Sequence, residues 1–289
     1  MWWSTRSSRT CSSMRIEALP ASAGLSQPQL DLCFSRGPSG ATYLSRQRAG
    51  YPYHVGRVLS HGPHLADARL IVQSSSGGLF ENDDVYQHVV ATEGARARVE
   101  TAAATIVHSM TRATAQSRVR VEAQQGAQLE WLPHPSILFP GARLASSIDV
   151  VLHPRARILL ADCYTTHDPA GGETPFVALD AAISVRSPTG LLLARDRLRL
   201  EGAAGRQLGG VSARFTAHGG LMVLTLDVEE GAAVARALEH ASEDAFYAGA
   251  GLLPGHCGAF MRILATDSCA LRTTLERAID AVRDALRSG

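Results

Sequence analysis

The chain has 289 residues, enough for one large domain or two ordinary ones, and no shift in composition divides it. A formal net charge of +1 with 19% charged residues excludes wholesale electrostatic binding to nucleic acid or to a membrane surface. No apolar run approaches the roughly 20 residues that a bilayer-spanning helix needs, and every basic side chain is an arginine.

In chain order, the first twenty residues are rich in Ser and Arg and carry no acid before Glu17. That composition loosely fits an organelle transit peptide, but an upstream start with Met14 as the true initiator is the simpler account. Residues 1–20 are expected to be a disordered tail in either case, with residues 21–289 forming a single domain. From Val58 to about Val228 the dominant period is two. "ARARVETAA", "SRVRVEA", "SIDVVLH" and "LMVLTLDV" alternate or cluster apolar and β-branched residues over strand lengths, punctuated by Gly and Pro. The stretch "LEWLPHPSILFPGARL" at 129–144 starts as a strand, yet Pro133 and Pro135 forbid its continuation as a paired central strand. In "AAISVRSPTGLLLARDRLRL", the Ser-Pro-Thr-Gly at 187–190 predicts a hairpin turn. Its second arm alternates Leu198 and Leu200 with Arg197 and Arg199, so one face is wet or meets a partner.

After Gly231 the period lengthens. "GAAVARALEHA" predicts a short helix with Val234 and Leu238 on one face, "GAFMRILAT" a strand, and the tail from Ser268 a longer helix capped by that serine. The tail's apolar stripe is Leu271, Leu275, Ala278, Ile279, Val282 and Leu286, opposite the pairs Asp280 with Arg283 and Asp284 with Arg287. The fold class is therefore mainly β, with a few α-helices towards the C-terminus and no repeat of fixed period.

Local signatures of catalysis are missing: there is no P-loop, GxSxG, HExxH or CxxC, and "GAGLLPG" at 249–255 has the wrong spacing for a dinucleotide site. The five cysteines, Cys11, Cys33, Cys163, Cys257 and Cys269, are scattered and odd in number, which fits a reducing cytoplasm. Cys163 with His167, His256 with Cys257, and His61 with His64 are the tightest groupings of soft ligands, none of them at a recognised spacing for a closed metal site. A metal- or cysteine-dependent hydrolase built from these dispersed residues is the alternative reading, and its cysteine form requires a thiol of lowered pKa at Cys163 or Cys257. A carbohydrate-binding sandwich ranks below it, because aromatics make up only 6% of the chain. Among carboxylates, Glu130 beside Trp131 predicts partial burial with a fixed hydrogen bond, and Glu173 follows a glycine pair that can aim it.

Four segments in order then resemble the urease accessory protein UreD (UreH) family. They are "SSSGGLFENDDV" at 74–85, "TAAATIVHSMTRATAQ" at 101–116, "LEWLPHPSILFPGARL" at 129–144, and "GGETPF" at 171–176 followed by "RDRLRL" at 195–200. The motif positions are Gly77, Gly78, Thr101, Gln116, Trp131, Pro133, Gly141, Arg143, Gly172, Phe176 and Arg197; the chain departs from the family pattern at Asn82, Ile106, His108 and Pro140. The resemblance implies two layers of β-sheet winding in a helix-like way, and no catalytic turnover or tightly bound cofactor. It also implies an assembly scaffold that binds apo-urease and recruits UreF and the GTPase UreG, in a complex that can reach a dimer of heterotrimers. Nickel would pass to the urease metallocentre by transient contacts. Asp83, Glu130 and Glu173 are the candidate passage-lining groups, with Trp131 anchoring the corner in the core and Glu130 either paired with Arg143 or facing the passage.

Overall fold

The computed structural model describes residues 27–61, 66–172, 174–202, 215–243 and 247–288. The expected tail at 1–20, together with Glu173 and His64, lies outside the described residues. Strands β1 (Leu30–Arg36), β2 (Thr42–Ala49), β3 (Tyr53–Val55) and β4 (Leu59–His61) open the fold. They are followed by β5 (Asp67–Ser74), β6 (Asp84–Ala91), β7 (Arg96–Thr101), β8 (Thr105–Val107) and β9 (Ala115–Ala123). Next come β10 (Gln128–Leu132), β11 (Ser136–Leu138), β12 (Arg143–Leu152), β13 (Arg157–Thr166), β14 (Ala178–Arg186) and β15 (Leu192–Glu201). The chain ends with β16 (Ala217–Leu224), helix α1 (Val228–Glu243), β17 (Ala248–Leu252), β18 (Gly258–Ala265) and helix α2 (Ser268–Ser288).

These strands form two sheets, ordered β15-β14-β12-β9-β6-β1-β2 and β17-β18-β16-β13-β10-β7-β5-β3. The middle of the chain alternates between them: β5, β7, β10 and β13 are parallel neighbours in the second sheet, and β6, β9, β12 and β14 in the first. This is the expected two-layer, helix-like winding. Each coil stacks its apolar side chains on those of the next. Val89, Val121, Val150 and Val185 are in register in the first sheet, and Leu70, Val99, Trp131 and Leu160 in the second. Both ladders are buried in one cluster between the layers, which is where period-two strands must put them.

The corner between layers is the same in three successive coils. Gly94, Gly126 and Arg155 all have left-handed backbones, and each is followed by an alanine with no exposed surface, Ala95, Ala127 and Ala156. The amide of each alanine donates to the carbonyl three residues back, at Thr92, Gln124 and His153. Glycine meets the left-handed requirement without penalty, and Arg155 does not.

Strand β10 stops at Leu132, one residue before Pro133, and pairing resumes only at Ser136. The hairpin of β14 and β15 turns at Ser187–Gly190, with Gly190 in the left-handed region and its amide donating to the Ser187 carbonyl. Two boundaries differ from expectation. "LMVLTLDV" stays a strand only to Leu224, because Asp227 Oδ1 accepts the amides of Glu229 and Glu230 at 3.0 Å and so starts α1 early. The cap of α2 is likewise Asp267, which accepts the Ala270 amide at 2.9 Å, and not Ser268. Leu271, Ala278, Ile279 and Val282 of α2 are buried with Val234 and Leu238 of α1 against the outer face of the second sheet. The outer face of the first sheet stays wet and is paved with ion pairs, among them Arg46 with Asp31 and Arg197 with Asp180.

Candidate functional site

Several of the family-motif residues, among them Gly77, Gly78, Thr101 and Pro133, collect at one end of the sheets. A cavity of about 490 Å³ opens there between the layers, bordered by the loop residues Ser76–Leu79, by Thr101–Ile106 and by Pro133, His134 and Ser136. Gly77, Gly78, Thr101, Trp131 and Pro133 line it, and Trp131, at 2% exposure, is its packed wall. Gly78 has φ +133°, and a Cβ there would collide with the Ile106 carbonyl, the same oxygen that accepts the Leu79 amide at 2.7 Å. The glycine is what lets this loop close on β8. Thr101 Oγ1 accepts the His134 amide at 2.8 Å and ties the loop after β10 to the end of β7.

Of the departures from the family pattern, Ile106 borders the cavity and His108 stands beside it at Gly77. Asn82 has φ +68°, a conformation asparagine tolerates better than most residues, so it can stand where glycine is common. Its neighbour Glu81 accepts the amides of Arg112 and Ala113 at 2.6 Å each; these hydrogen bonds hold its carboxyl at about 2 and pin two loops together. His108 stacks on Phe80 with ring centroids 4.4 Å apart, with Nε2 2.9 Å from the Gly77 carbonyl. Phe139 and His167 extend that row of rings.

Of the proposed lining carboxylates, neither Asp83 nor Glu130 borders the cavity. Asp83 Oδ2 accepts the Phe80 amide at 2.7 Å and stabilises the turn. Glu130 alternates with Trp131 along β10, so when Trp131 points between the layers Glu130 points out towards α2. There its carboxylate meets Arg98 Nε at 2.6 Å and Arg283 Nη2 at 2.7 Å. Burial opposes its ionisation, but the two guanidiniums prevail and hold it below the ordinary value. The anticipated pairing with Arg143 is thus replaced by a clasp between sheet and helix, and Arg143 Nε is buried with no hydrogen-bond partner among the described residues. Gly141 donates its amide to the Pro175 carbonyl at 3.0 Å. Asp168 accepts the Thr174 amide at 3.1 Å around Gly172, and Phe176 packs on the core beneath. Gln116 and Arg197 lie on the outer side of the first sheet; Arg197 makes a two-bond contact with Asp180 at 2.9 and 2.7 Å.

A carboxylate that does enter the interior is Asp162, on β13, two residues from Leu160 and two from Tyr164. It borders the first cavity and also a second one, of about 240 Å³, whose lining includes Arg195, Asp196, Gly220, Leu253, Pro254 and Arg262. The surrounding protein leaves the residue only partly exposed, and this desolvation pushes its carboxyl up to about 6 against the opposing pull of the Tyr164 hydroxyl and the Arg262 guanidinium. The Tyr164 hydroxyl is buried, lies towards Asp162 and Ser146 and acts on both, but makes a well-aligned hydrogen bond to neither. Gln87 Oε1, on the opposite wall, is likewise buried and unpaired. Ser117 and Ser146 add hydroxyls from the first sheet. Groups that desolvate a carboxyl without fully satisfying the polar atoms around it leave work for a small polar or charged occupant. Asp162 was legible as a lone acid inside the apolar run "RILLADCY".

The cysteine chemistry required by the hydrolase alternative is not built. Burial pushes the Cys163 thiol up to about 12 and raises Cys257 as well, the opposite of what a nucleophile needs. Cys257 instead donates to the Pro254 carbonyl at 3.2 Å, and His167 is exposed beyond the end of β13. Among the described residues, no three His, Cys, Asp or Glu side chains converge as a metal cage, and no helix is long and apolar enough to cross a membrane.

Fold and interior together define a parallel-wound, two-sheet β scaffold with helices over one face and a polar seam inside. The chain belongs to the UreD urease accessory protein family, whose model matches residues 26–288. A urease accessory protein UreD 1 of Pseudomonas syringae pv. syringae is 41% identical over 263 residues, covering 88% of this chain and 90% of the relative. Its counterpart in Methylorubrum populi is 36% identical over 260 residues, covering 89% and 88%. These relatives are named as accessory proteins, not as enzymes.

Proposed function

We propose that the chain is a non-catalytic scaffold of urease maturation: it binds apo-urease, recruits UreF and through it the GTPase UreG, and lets nickel travel through its interior. The observation that carries the nickel part is that two cavities are both lined by one interior carboxyl, that of Asp162. A conduit for a divalent cation needs oxygen ligands that are individually weak, because an ion held tightly cannot move on. Asp162, the hydroxyls of Ser117 and Ser146, and the unpaired Gln87 carbonyl oxygen supply that kind of surface. On this reading Asp83 and Glu130 serve the passage from outside, by shaping its mouth and by fastening α2. Docking falls to the surfaces around it.

The test is to co-express the tagged full chain with UreF, UreG and the urease subunits, and to measure both the complex recovered and the nickel content of the urease. Asp162→Asn is expected to keep the complex while lowering nickel per urease about tenfold, the scale set by losing one charged contact. Undiminished nickel loading would remove the conduit. A tagged chain that recovers none of these proteins would remove the scaffold.

A further inference from the structure

The second cavity is bordered by two guanidiniums, that of Arg195, an exposed residue on the outward face of β15, and that of Arg262, which stands between the layers. Arg262, on β18, reaches from the second sheet across to Asp196 on β15 of the first and forms an ion pair between the layers. The pairing registers place Asp162 opposite Gly220, and Gly220 opposite Arg262, all on the inward face of the second sheet. Gly220 has no side chain, and a Cβ there would stand 3.7 Å from Arg262 Nη1, so nothing screens the guanidinium from Asp162. Arg262 therefore lies between two carboxylates, Asp162 on its own sheet and Asp196 on the facing one. His218 on β16, also within its field, is held below its ordinary pKa by burial and then by that guanidinium, so it adds no second positive charge at neutral pH.

We infer that Arg262, tethered by Asp196, sets the charge of the interior passage, keeping Asp162 a single-carboxylate transit point for a divalent cation. This rests on the conduit reading above and adds a role to it. With both pair partners in place, Asp196 and Arg262 cancel and a cation meets one carboxylate. Without the guanidinium, Asp162 and Asp196 would face the same space as two acids, and two carboxylates make a far better divalent site than one. Without Asp196, the guanidinium's remaining partner is Asp162, and the transit point would be filled by a tethered positive charge. The pair can serve in this way because it is only half-buried, with 36% of the Arg262 side chain and 32% of the Asp196 side chain reached by solvent. An ion pair in that setting is held loosely enough to adjust as a cation passes.

The two single variants are thus expected to fail in opposite ways, which a purely structural ion pair does not predict. In the co-expressed complex, Arg262→Gln should deliver less nickel to urease while the scaffold itself retains about one nickel ion per chain after desalting, the signature of a trap. Asp196→Asn should deliver roughly tenfold less, with no nickel retained by the scaffold. The double variant, which restores neutrality, should load urease to within about twofold of the unmodified chain, a coupling that a double-mutant cycle reads directly. Recovery of the complex and its melting temperature are measured for every variant. An Arg262→Gln scaffold that retains no more nickel than the unmodified one would overturn the inference, and if that variant fails to fold, a double variant that loads no better than Asp196→Asn would do so. If Asp162→Asn loads nickel normally the conduit itself falls; if it does not, and these variants still behave alike, only the charge-setting role falls.

Discussion

Glu130 and Asp162 are both acids set among apolar neighbours, and what separates their roles is the face of the strand each occupies. Glu130 points to α2 and is answered by two guanidiniums; Asp162 points between the layers, where Tyr164 and Arg262 do not outweigh its desolvation. Glu130→Ala strands Arg98 and Arg283 at the sheet–helix interface, so it should cost about 2–3 kcal/mol, the range for removing a charged hydrogen-bond partner. Soluble yield and urease activation should fall together, as measured by the unfolding midpoint of the purified chain beside activation in the complex. Activation that collapses while the midpoint stays put would give Glu130 a direct part in the passage instead. The sequence announced that Glu130 would be partly buried with a fixed bond. It could not announce the partner, because Arg283 lies 153 residues away and only the docking of α2 brings it near.

At the scale of elements, period-two alternation made the strands legible, and the Ser-Pro-Thr-Gly turn gave the β14–β15 hairpin. The winding was legible only through family resemblance, because parallel neighbours such as β7 and β10 are joined through a strand of the other sheet and nothing local encodes that pairing. One local sign went unread. "EGARARVE", "QGAQLEWL" and "PRARILLA" each place a left-handed residue and a buried alanine at the start of a second-sheet strand, but their unequal spacing hides the repeat. The three corners make a prediction of opposite signs at equivalent positions. Arg155 is exposed at φ +58°, so Arg155→Gly should stabilise the fold by about 0.5–1 kcal/mol. Gly126→Ala, where a Cβ meets nothing within 4 Å, should destabilise it by about 1 kcal/mol through backbone strain alone. Urea unfolding of both variants checks this; Arg155→Gly proving the less stable would mean that the side chain, not the backbone, decides that corner.

For the molecule as a whole, pH sets two kinds of group against each other. Hydrogen bonds and guanidiniums hold Glu81, Glu130, Asp180 and Asp267 below their ordinary values, Glu81 at about 2, so their stabilisation is present above the usual carboxylate range and is lost as pH falls through it. Burial keeps His88 and His218 neutral, and that stabilisation is lost as pH falls below 6.5 towards their lower folded values. Asp162 runs the other way. Its carboxyl rises from 3.8 to about 6 on folding, so its favourable contribution is complete below 3.8 and disappears as pH climbs through about 6. Above that the chain carries an ionised acid in a place that resists it, at a cost of up to about 3 kcal/mol. The urea midpoint should therefore change little between pH 8 and 5, where Asp162 and the histidines offset one another, and fall steeply between about 4.5 and 2. Asp162→Asn should raise the midpoint at pH 8 and match the unmodified chain at pH 4, and an equal gain at both pH values would show that ionisation is not the cause. A variant that is more stable at neutral pH yet delivers less nickel would mark Asp162 as a charge kept in the interior for transport and against stability.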